Sequence, residues 1–259
     1  MTGESGTASP GTALVTGAAH RIGRAIALDL ARAGWRVAVH YLRSTDAAAE
    51  VVGTIQAAGG EAAAIAADLA DASESGALVG HAAEALGPVN CLINSASVFE
   101  DDTIDSVTPE TWSAHLDVNL RAPMMLTQAL AAALPAEAPG HIINLIDQRV
   151  WNLTPHFHSY TISKAGLWAL TQTAALALAP RVRVNGIGPG PTLPSRRQSR
   201  RDFSAQVAAT PLRCQPGLDE ICATVRFIMA TPSMTGQMIA LDSGQHLAWR
   251  AVADGPVPE

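Results

Sequence analysis

The sequence predicts an α/β chain folded as a doubly wound parallel sheet of about seven strands, with helices on both faces. Three observations carry this expectation. Short apolar runs alternate with Ala-rich stretches of helical periodicity along the chain. Strands separated by helices pair in parallel through right-handed crossovers. The strands read as continuous apolar runs, the pattern of a sheet covered on both faces. No repeat or linker breaks the alternation, so residues 11–249 form one domain, with a flexible tail at 1–10 and another at 250–259.

The elements follow in order. Ala13–Val15 is the first strand, and it ends at Thr16-Gly17. Ile22–Ala33 is helical, with apolar residues recurring at turn spacing, and stops at Gly34. Val37–Val39 is the second strand. Thr45–Ala58 is a helix closed by Gly59-Gly60, and Ala62–Ala67 is the third strand, ending at Asp68. Ser73–Leu86 is a helix stopped by Gly87-Pro88, and Cys91–Ile93 is the fourth strand. A long helical stretch covers Trp112–Leu134. Ile142–Ile146 is the fifth strand, Ser159–Leu178 a long helix and Val182–Ile187 the sixth strand. Leu218–Met229 is helical, and Met238–Leu241 is a last short strand.

Composition narrows the function classes. The 259 residues are 48% hydrophobic and 15% charged, enough apolar material for a core and too little charge for a disordered chain. The net charge of −6 argues against a general nucleic-acid binder. No apolar run approaches a membrane span, and the N-terminus lacks the basic and apolar regions of a secretory signal. Cys91, Cys214 and Cys222 are odd in number and contain no C-x-x-C, which fits buried thiols in a reducing, cytoplasmic setting. His156 and His158 have no Cys or carboxylate cluster beside them, so no metal site is expected. One count stands out. Among 17 Lys and Arg the only lysine is Lys164, and the only tyrosines are Tyr41 and Tyr160. Codon bias explains the scarcity but not the positions of the survivors.

Ligands of a doubly wound sheet bind beyond the C-terminal ends of its strands. The first such turn is Thr16-Gly17-Ala18-Ala19-His20-Arg21-Ile22-Gly23. Glycine lets backbone approach a ligand, and a helix N-terminus offers free N–H groups to an anion. Gly17, His20, Arg21, Ile22 and Gly23 are therefore candidates for binding a dinucleotide pyrophosphate. The end of the second strand chooses between cofactors. NAD readers place an acid there for the ribose 2′-hydroxyl. Here the segment is His40-Tyr41-Leu42-Arg43-Ser44, with no acid before Asp46. Arg43 and Ser44 suit a 2′-phosphate, which favours NADP(H). The competing reading is a solvated Arg43 and a Ser44 that only caps the next helix.

Tyr160 and Lys164 stand four apart at the start of the long helix, on one face. A phenol is a weak acid near neutrality, and a neighbouring ammonium lowers its pKa, so the pair can act as a tuned general acid. By itself the spacing is common.

Together, the Thr16–Gly23 loop, Asp68, Asn94-Ser95-Ala96, Asn119, Tyr160/Lys164 and Pro189-Gly190 resemble the short-chain dehydrogenase/reductase family in order and spacing, over about residues 12–247. The resemblance implies a Rossmann-type fold and an NADP-dependent oxidoreductase, usually a homotetramer paired through the helices at Trp112–Leu134 and Ser159–Leu178. It implies that Tyr160 donates the proton, that Lys164 tunes it and binds the nicotinamide ribose, and that Asn119 holds a relay water. Asp68 and Leu69 would lie against the adenine, Asn94, Ser95 and Ala96 along the cofactor, and Pro189 and Gly190 beside the nicotinamide.

Three departures from the usual pattern are informative. Arg21 stands for a third glycine, Ser95 and Ser97 interrupt the usual Asn-Asn-Ala-Gly, and Asp147 stands for a serine. The pteridine reductase branch is similar in having Arg in the glycine loop, His-Tyr-x-Arg-Ser at the second strand, Asp for Ser, and a Phe where Phe99 lies. That likeness implies a pterin or dihydrofolate-like substrate, held by Arg21, Ser97, Phe99, Asp147, Trp151 and Tyr160, with Asp147 joining the catalytic set. A small-molecule carbonyl, such as a 3-oxoacyl thioester, is the alternative. A non-catalytic dinucleotide sensor is the third reading, disfavoured by intact Tyr160, Lys164 and Asn119. Arg196, Arg197, Arg200 and Arg201 read as a solvated helix face, and Trp112 and Trp168 as core or subunit interface.

Overall fold

The computed structural model describes residues 10–195 and 197–248. The tail at 250–259 and most of the tail at 1–10 lie outside them. Seven strands form one parallel sheet: β1 (Thr12–Val15), β2 (Arg36–Tyr41), β3 (Ala62–Ala66), β4 (Val89–Asn94), β5 (Gly140–Leu145), β6 (Val182–Pro189) and β7 (Met238–Leu241), in the spatial order β3-β2-β1-β4-β5-β6-β7. Among the described residues eight α-helices surround it: α1 (Arg21–Arg32), α2 (Thr45–Ala57), α3 (Ala72–Leu86), α4 (Pro109–Leu116), α5 (Ala122–Ala133), α6 (His158–Leu178), α7 (Arg200–Ala208) and α8 (Leu218–Ala230).

Strand alternation divides the core into two layers. Ala13, Val15, Val37, Val39, Cys91 and Ile93 face one side and pack with Ile26, Leu30, Val51, Ile55 and Val225 of α1, α2 and α8. Leu14, Ala38, Leu92 and Ile142 face the other and pack with Leu78, Leu126, Leu130 and Ala174 of α3, α5 and α6. Successive strand side chains point to opposite faces. Each strand residue thus meets helices on its own side, which is why the strands read as unbroken apolar runs.

Helix ends follow local chemistry. In α1, Gly23, Ile26, Ala27 and Leu30 are the buried stripe, and Gly34 leaves the helix at φ +87. Asp71 caps α3 by accepting from Ser73 N and Glu74 N. Thr108 and Thr111 form a reciprocal cap on α4, with Pro109 in the first turn.

The structure revises or sharpens the sequence reading in four places. The expected helix Trp112–Leu134 starts at Pro109 and is interrupted by a π-helical turn at Asp117–Arg121. The cause is Pro123, which has no N–H to give the carbonyl of Asn119 four residues earlier. A helix that the sequence reading gave only as a basic face, without bounds, is α7 at Arg200–Ala208, capped by Ser199 with Asp202. Of the basic run, Arg200 and Arg201 are exposed at the start of α7, Arg197 precedes the helix and binds Glu100 at 2.6 Å, and Arg196 lies outside the described residues. Cys91 and Cys222 are buried as expected, but Cys214 is exposed. Among the described residues, no helix is long and apolar enough to cross a membrane.

Candidate active site

Strand order reverses between β1 and β4, so the turns leaving these strands diverge and open a crevice at their C-terminal ends. Thr16 ties the two sides together. Its hydroxyl accepts from Ser95 N at 2.9 Å and Ala96 N at 3.0 Å. Thr16 opens the Thr16–Gly23 turn that the sequence singled out, but no role was assigned to its hydroxyl. The only signal for it was a hydroxyl residue at the end of the first strand.

The loop after β1 approaches its neighbours closely. Gly17 is at φ +64, and a Cβ there would lie 3.0 Å from Ala96 Cα. A Cβ on Gly23 would lie 2.4 Å from the Gly17 carbonyl oxygen. Neither position tolerates a side chain without moving backbone. His20 precedes α1 in extended conformation and makes no side-chain cap, so the first turn of α1 is not capped by its own flank. Ile22 lies partly buried against the core. Arg21 takes φ +53, a left-handed conformation in which glycine is the unstrained choice. Its guanidinium donates to Pro194 O at 2.9 Å and Leu193 O at 3.1 Å, which ties this loop to the segment after β6.

His40 is a brace. Its Nδ1 accepts from Gly17 N at 3.0 Å, which makes Nε2 the protonated nitrogen and the donor to Ala67 O at 3.1 Å. Burial holds its pKa below the ordinary histidine value, consistent with this neutral form. Both ring nitrogens are therefore committed to backbone. Tyr41 is partly buried beside the first core layer. Arg43 is exposed, and Ser44 precedes α2 without using its hydroxyl as a cap. The Asp68 carboxylate accepts from Ala70 N at 2.9 Å, and Leu69 is buried. Asn94 Nδ2 donates to Asn144 at 2.8 Å, while its buried Oδ1 has no partner among the described residues. Gly190 N donates to Leu241 O, and a Cβ on Gly190 would lie 2.6 Å from Asp242 Cα. Pro189 ends β6 just before it.

Around α6 the catalytic candidates converge. Tyr160, 6% exposed, donates its hydroxyl to Asp147 Oδ2 at 2.8 Å. Asp147 Oδ1 accepts from Arg149 N at 2.8 Å, which holds the carboxylate at the head of a short 3-10 turn, Gln148–Val150. Lys164, 3% exposed, donates to Leu145 O at 2.8 Å, and its Nζ is 5.7 Å from the Tyr160 ring centre. Burial lowers the Lys164 pKa to about 8. The phenol moves the opposite way from the sequence expectation. Burial, and then the charge of Asp147, push Tyr160 well above its ordinary value. The phenol is thus held in its proton-carrying form.

The side chain of Asn119 is consumed by protein: its amide donates to Val98 O and Ser163 Oγ, and its oxygen accepts from Val98 N. Its main-chain carbonyl cannot receive an N–H from Pro123, four residues on, which makes that oxygen a candidate for the water. Ser163 is another participant the sequence reading missed.

Phe99 forms the lip of the site. It stacks on Phe157 at 4.6 Å and meets Tyr160 edge-on at 4.6 Å. Arg197 lies 5.1 Å over Phe99, and Arg149 lies 4.9 Å over Phe157. Ser97 is exposed, its hydroxyl turned to Val98 O. Trp151 stays exposed and packs its ring edge-on against His246 and Trp168.

A family model described as short chain dehydrogenase matches residues 11–205. The 3-oxoacyl-[acyl-carrier-protein] reductase of Synechocystis sp. is 33% identical over 236 residues, covering 90% of this chain and 95% of that protein. The crystal structure of FolM alternative dihydrofolate reductase 1 from Brucella suis in complex with NADP superposes with a TM-score of 0.91 at 46% identity, covering 94% of this chain and 98% of that one. A short chain dehydrogenase from Burkholderia cenocepacia in complex with NADP superposes with a TM-score of 0.86 at 33% identity, covering 93% and 99%. The glycine turn at the sheet's switch point, the Tyr160–Lys164 helix and these likenesses converge: the chain belongs to the short-chain dehydrogenase family of oxidoreductases.

Proposed function

We propose that the protein is an NADPH-dependent reductase of a pterin or dihydrofolate-like ring. The observation that carries this reading is the Tyr160–Asp147 hydrogen bond of 2.8 Å beneath the Phe99 lip. A carboxylate repels the oxyanion of a reacting ketone. It is a good acceptor for ring N–H groups and a suitable partner where a ring nitrogen takes up a proton. Phe99, stacked on Phe157 and edge-on to Tyr160, gives the site an aromatic wall suited to a planar heterocycle. The 46% identity to a protein named alternative dihydrofolate reductase supports the same reading.

The cofactor crevice fits NADP(H). The uncapped first turn of α1 and the close-packed Gly17 and Gly23 suit a pyrophosphate. Arg43 and the uncommitted Ser44 hydroxyl suit a 2′-phosphate, and the orphaned Asn94 Oδ1 is an acceptor turned into the crevice wall. When bound, NADPH supplies the hydride. The protein's part is to present the proton: Tyr160 donates its hydroxyl hydrogen toward the ring nitrogen, Asp147 orients the acceptor and the phenol, and Lys164 places positive charge beside the phenol. Water on the Asn119 carbonyl replaces the proton given up. The family resemblance adds a cytoplasmic homotetramer, and the exposed Trp112, Met124 and Ile162 on α4–α6 are the side chains such a contact would cover.

The test is NADPH oxidation with biopterin, dihydrobiopterin, dihydromonapterin and dihydrofolate, run beside an acetoacetyl thioester. Turnover of the thioester alone would favour the second reading, a 3-oxoacyl reductase, which the 33% identical Synechocystis relative supports by name. Asp147→Ser should cut pterin turnover about 100-fold while NADPH binding stays near wild type. An unchanged rate removes Asp147 from the mechanism. Gly23→Ala should weaken NADPH binding about tenfold or more, because the new Cβ displaces the loop that meets the pyrophosphate. Titration of NADPH fluorescence reads it, and an unaltered dissociation constant would refute that placement.

A further inference from the structure

The aim of Tyr160 depends on the first turn of α6, and that turn is not capped by the side chain of its own flanking residue. The residue before it, Phe157, is left-handed at φ 56 and makes no side-chain cap. An aromatic ring has no acceptor for the free N–H groups of a helix start. The loop after β4 provides one. Asp102 O accepts from His158 N at 3.0 Å, and Asp102 Oδ1 accepts from Ser159 N at 2.9 Å. Asp102 Oδ2 accepts from the Ser159 hydroxyl. Asp102 is 3% exposed, and Ser159 and His115 are fully buried.

The network is polar and directional. His115 Nε2 accepts from Glu100 N at 3.0 Å, which places the ring hydrogen on Nδ1. Nδ1 lies 2.9 Å from Thr111 O and 2.7 Å from Ser159 Oγ. The chain of donors runs from Glu100 through His115 and Ser159 to Asp102. The same loop carries Phe99, three residues earlier, against the Phe157 and Tyr160 rings. One loop therefore grips the helix start at both its backbone and its rings. Ser, His and Asp stand together here, but the serine lies between the other two and is sealed from solvent, so this is no nucleophile.

We infer that Asp102 is a positioning residue for the reaction: with Ser159 and His115 it anchors the first turn of α6 and sets the aim of the Tyr160 phenol. Anionic charge at a helix N-terminus is also favoured by the helix dipole. The inference rests on the reading of Tyr160 as proton donor. Aspartate is the fitting residue because both oxygens accept. In Asp102→Asn one oxygen becomes a donor, so either Ser159 N or the Ser159 hydroxyl loses its acceptor.

The two-tyrosine composition permits a direct test. The full chain labelled with 3-fluorotyrosine gives two fluorine resonances, and Tyr160→Phe assigns them. Asp102→Asn and Asp102→Ala should shift or broaden the Tyr160 resonance, leave Tyr41 in place, and lower kcat about tenfold or more with the KM for NADPH near wild type. Ile55→Ala, a core truncation at the opposite end of the sheet, supplies the control. It should lower the melting temperature and leave the Tyr160 resonance and kcat unchanged. A Tyr160 resonance unmoved in Asp102→Asn, or moved equally by Ile55→Ala, overturns the inference. If Tyr160→Phe keeps full turnover, the donor reading falls and takes the anchor with it. If Tyr160→Phe is inactive while Asp102→Asn turns over at the wild-type rate, only the anchor falls.

Discussion

Tyr160→Phe is expected to lower kcat about 10³-fold and leave the dissociation constant for NADPH within about twofold of wild type. The change removes one oxygen from a buried ring. The ring itself remains against Phe99 and His115, so packing is conserved and the loss reports proton transfer. Asp147 loses its hydrogen-bond donor and gains no substitute acid. The direction of the tyrosine shift adds a pH signature. Burial and Asp147 hold the phenol protonated well past its ordinary range, so no ionisation of Tyr160 should shape the reductive rate near neutrality. Steady-state kinetics over a pH series, with NADPH binding measured separately, check both statements. Retention of a tenth or more of wild-type kcat would remove Tyr160 from the donor role.

Lys164→Arg should lower kcat/KM by about 100-fold or more, although arginine serves at every other basic position in this chain. The ammonium sits on a flexible stem, is 3% exposed, and ends 2.8 Å from Leu145 O. A guanidinium is planar, larger and pre-forked, and cannot be threaded into a space packed around a single nitrogen without displacing β5 or the Tyr160 ring. The pH dependence has a definite sign. Burial disfavours the charged form, so the pKa is lowered, to about 8; the ammonium is present below that value and lost above it. The wild-type kcat/KM should therefore fall as pH rises through about 8, and whatever activity the arginine variant keeps should lack that alkaline limb. A variant with wild-type activity, or with the same limb, would contradict the assignment.

The lysine count that stood out in composition is explained by this geometry. Genomic bias accounts for the lack of other lysines. The surviving one occupies a buried site where charge must be compact and the pKa must be movable.

Much of the fold was legible because it rests on local pattern. Ala13 to Val15 reads as a strand covered on both faces, and each residue meets a helix layer on its own side. The stripe Ile26, Ala27 and Leu30 reads as one helix face, and Gly34 as its end. The split of α4 from α5 was also written in the sequence, in Pro123, but its consequence depends on a carbonyl four residues back and on the π turn that absorbs it. Helix α7 was less legible: its charged N-terminal arginines mask the cap made by Ser199 and Asp202.

The candidate site divides in the same way. Sequence by itself determined the chemistry available: a glycine turn after β1, a phenol and an amine one helical turn apart, a carboxylate where a hydroxyl is usual. Spacing along a strand or helix dictates which side chains share a face, so these pairings survive folding. Only the tertiary structure decided what each group is bonded to. It turned the Tyr160 shift upward, because burial and the Asp147 charge outweigh the opposing charge of Arg149. It committed both nitrogens of His40 and the whole side chain of Asn119 to backbone and neighbouring side chains. It packed the Trp151 ring edge-on against Trp168 and His246. It brought Asp102, 57 residues earlier in the chain, onto the start of α6. The reason is physical: desolvation, hydrogen-bond partnership and charge proximity are properties of three-dimensional neighbours, and residues far apart in sequence become neighbours only when the sheet and helices pack.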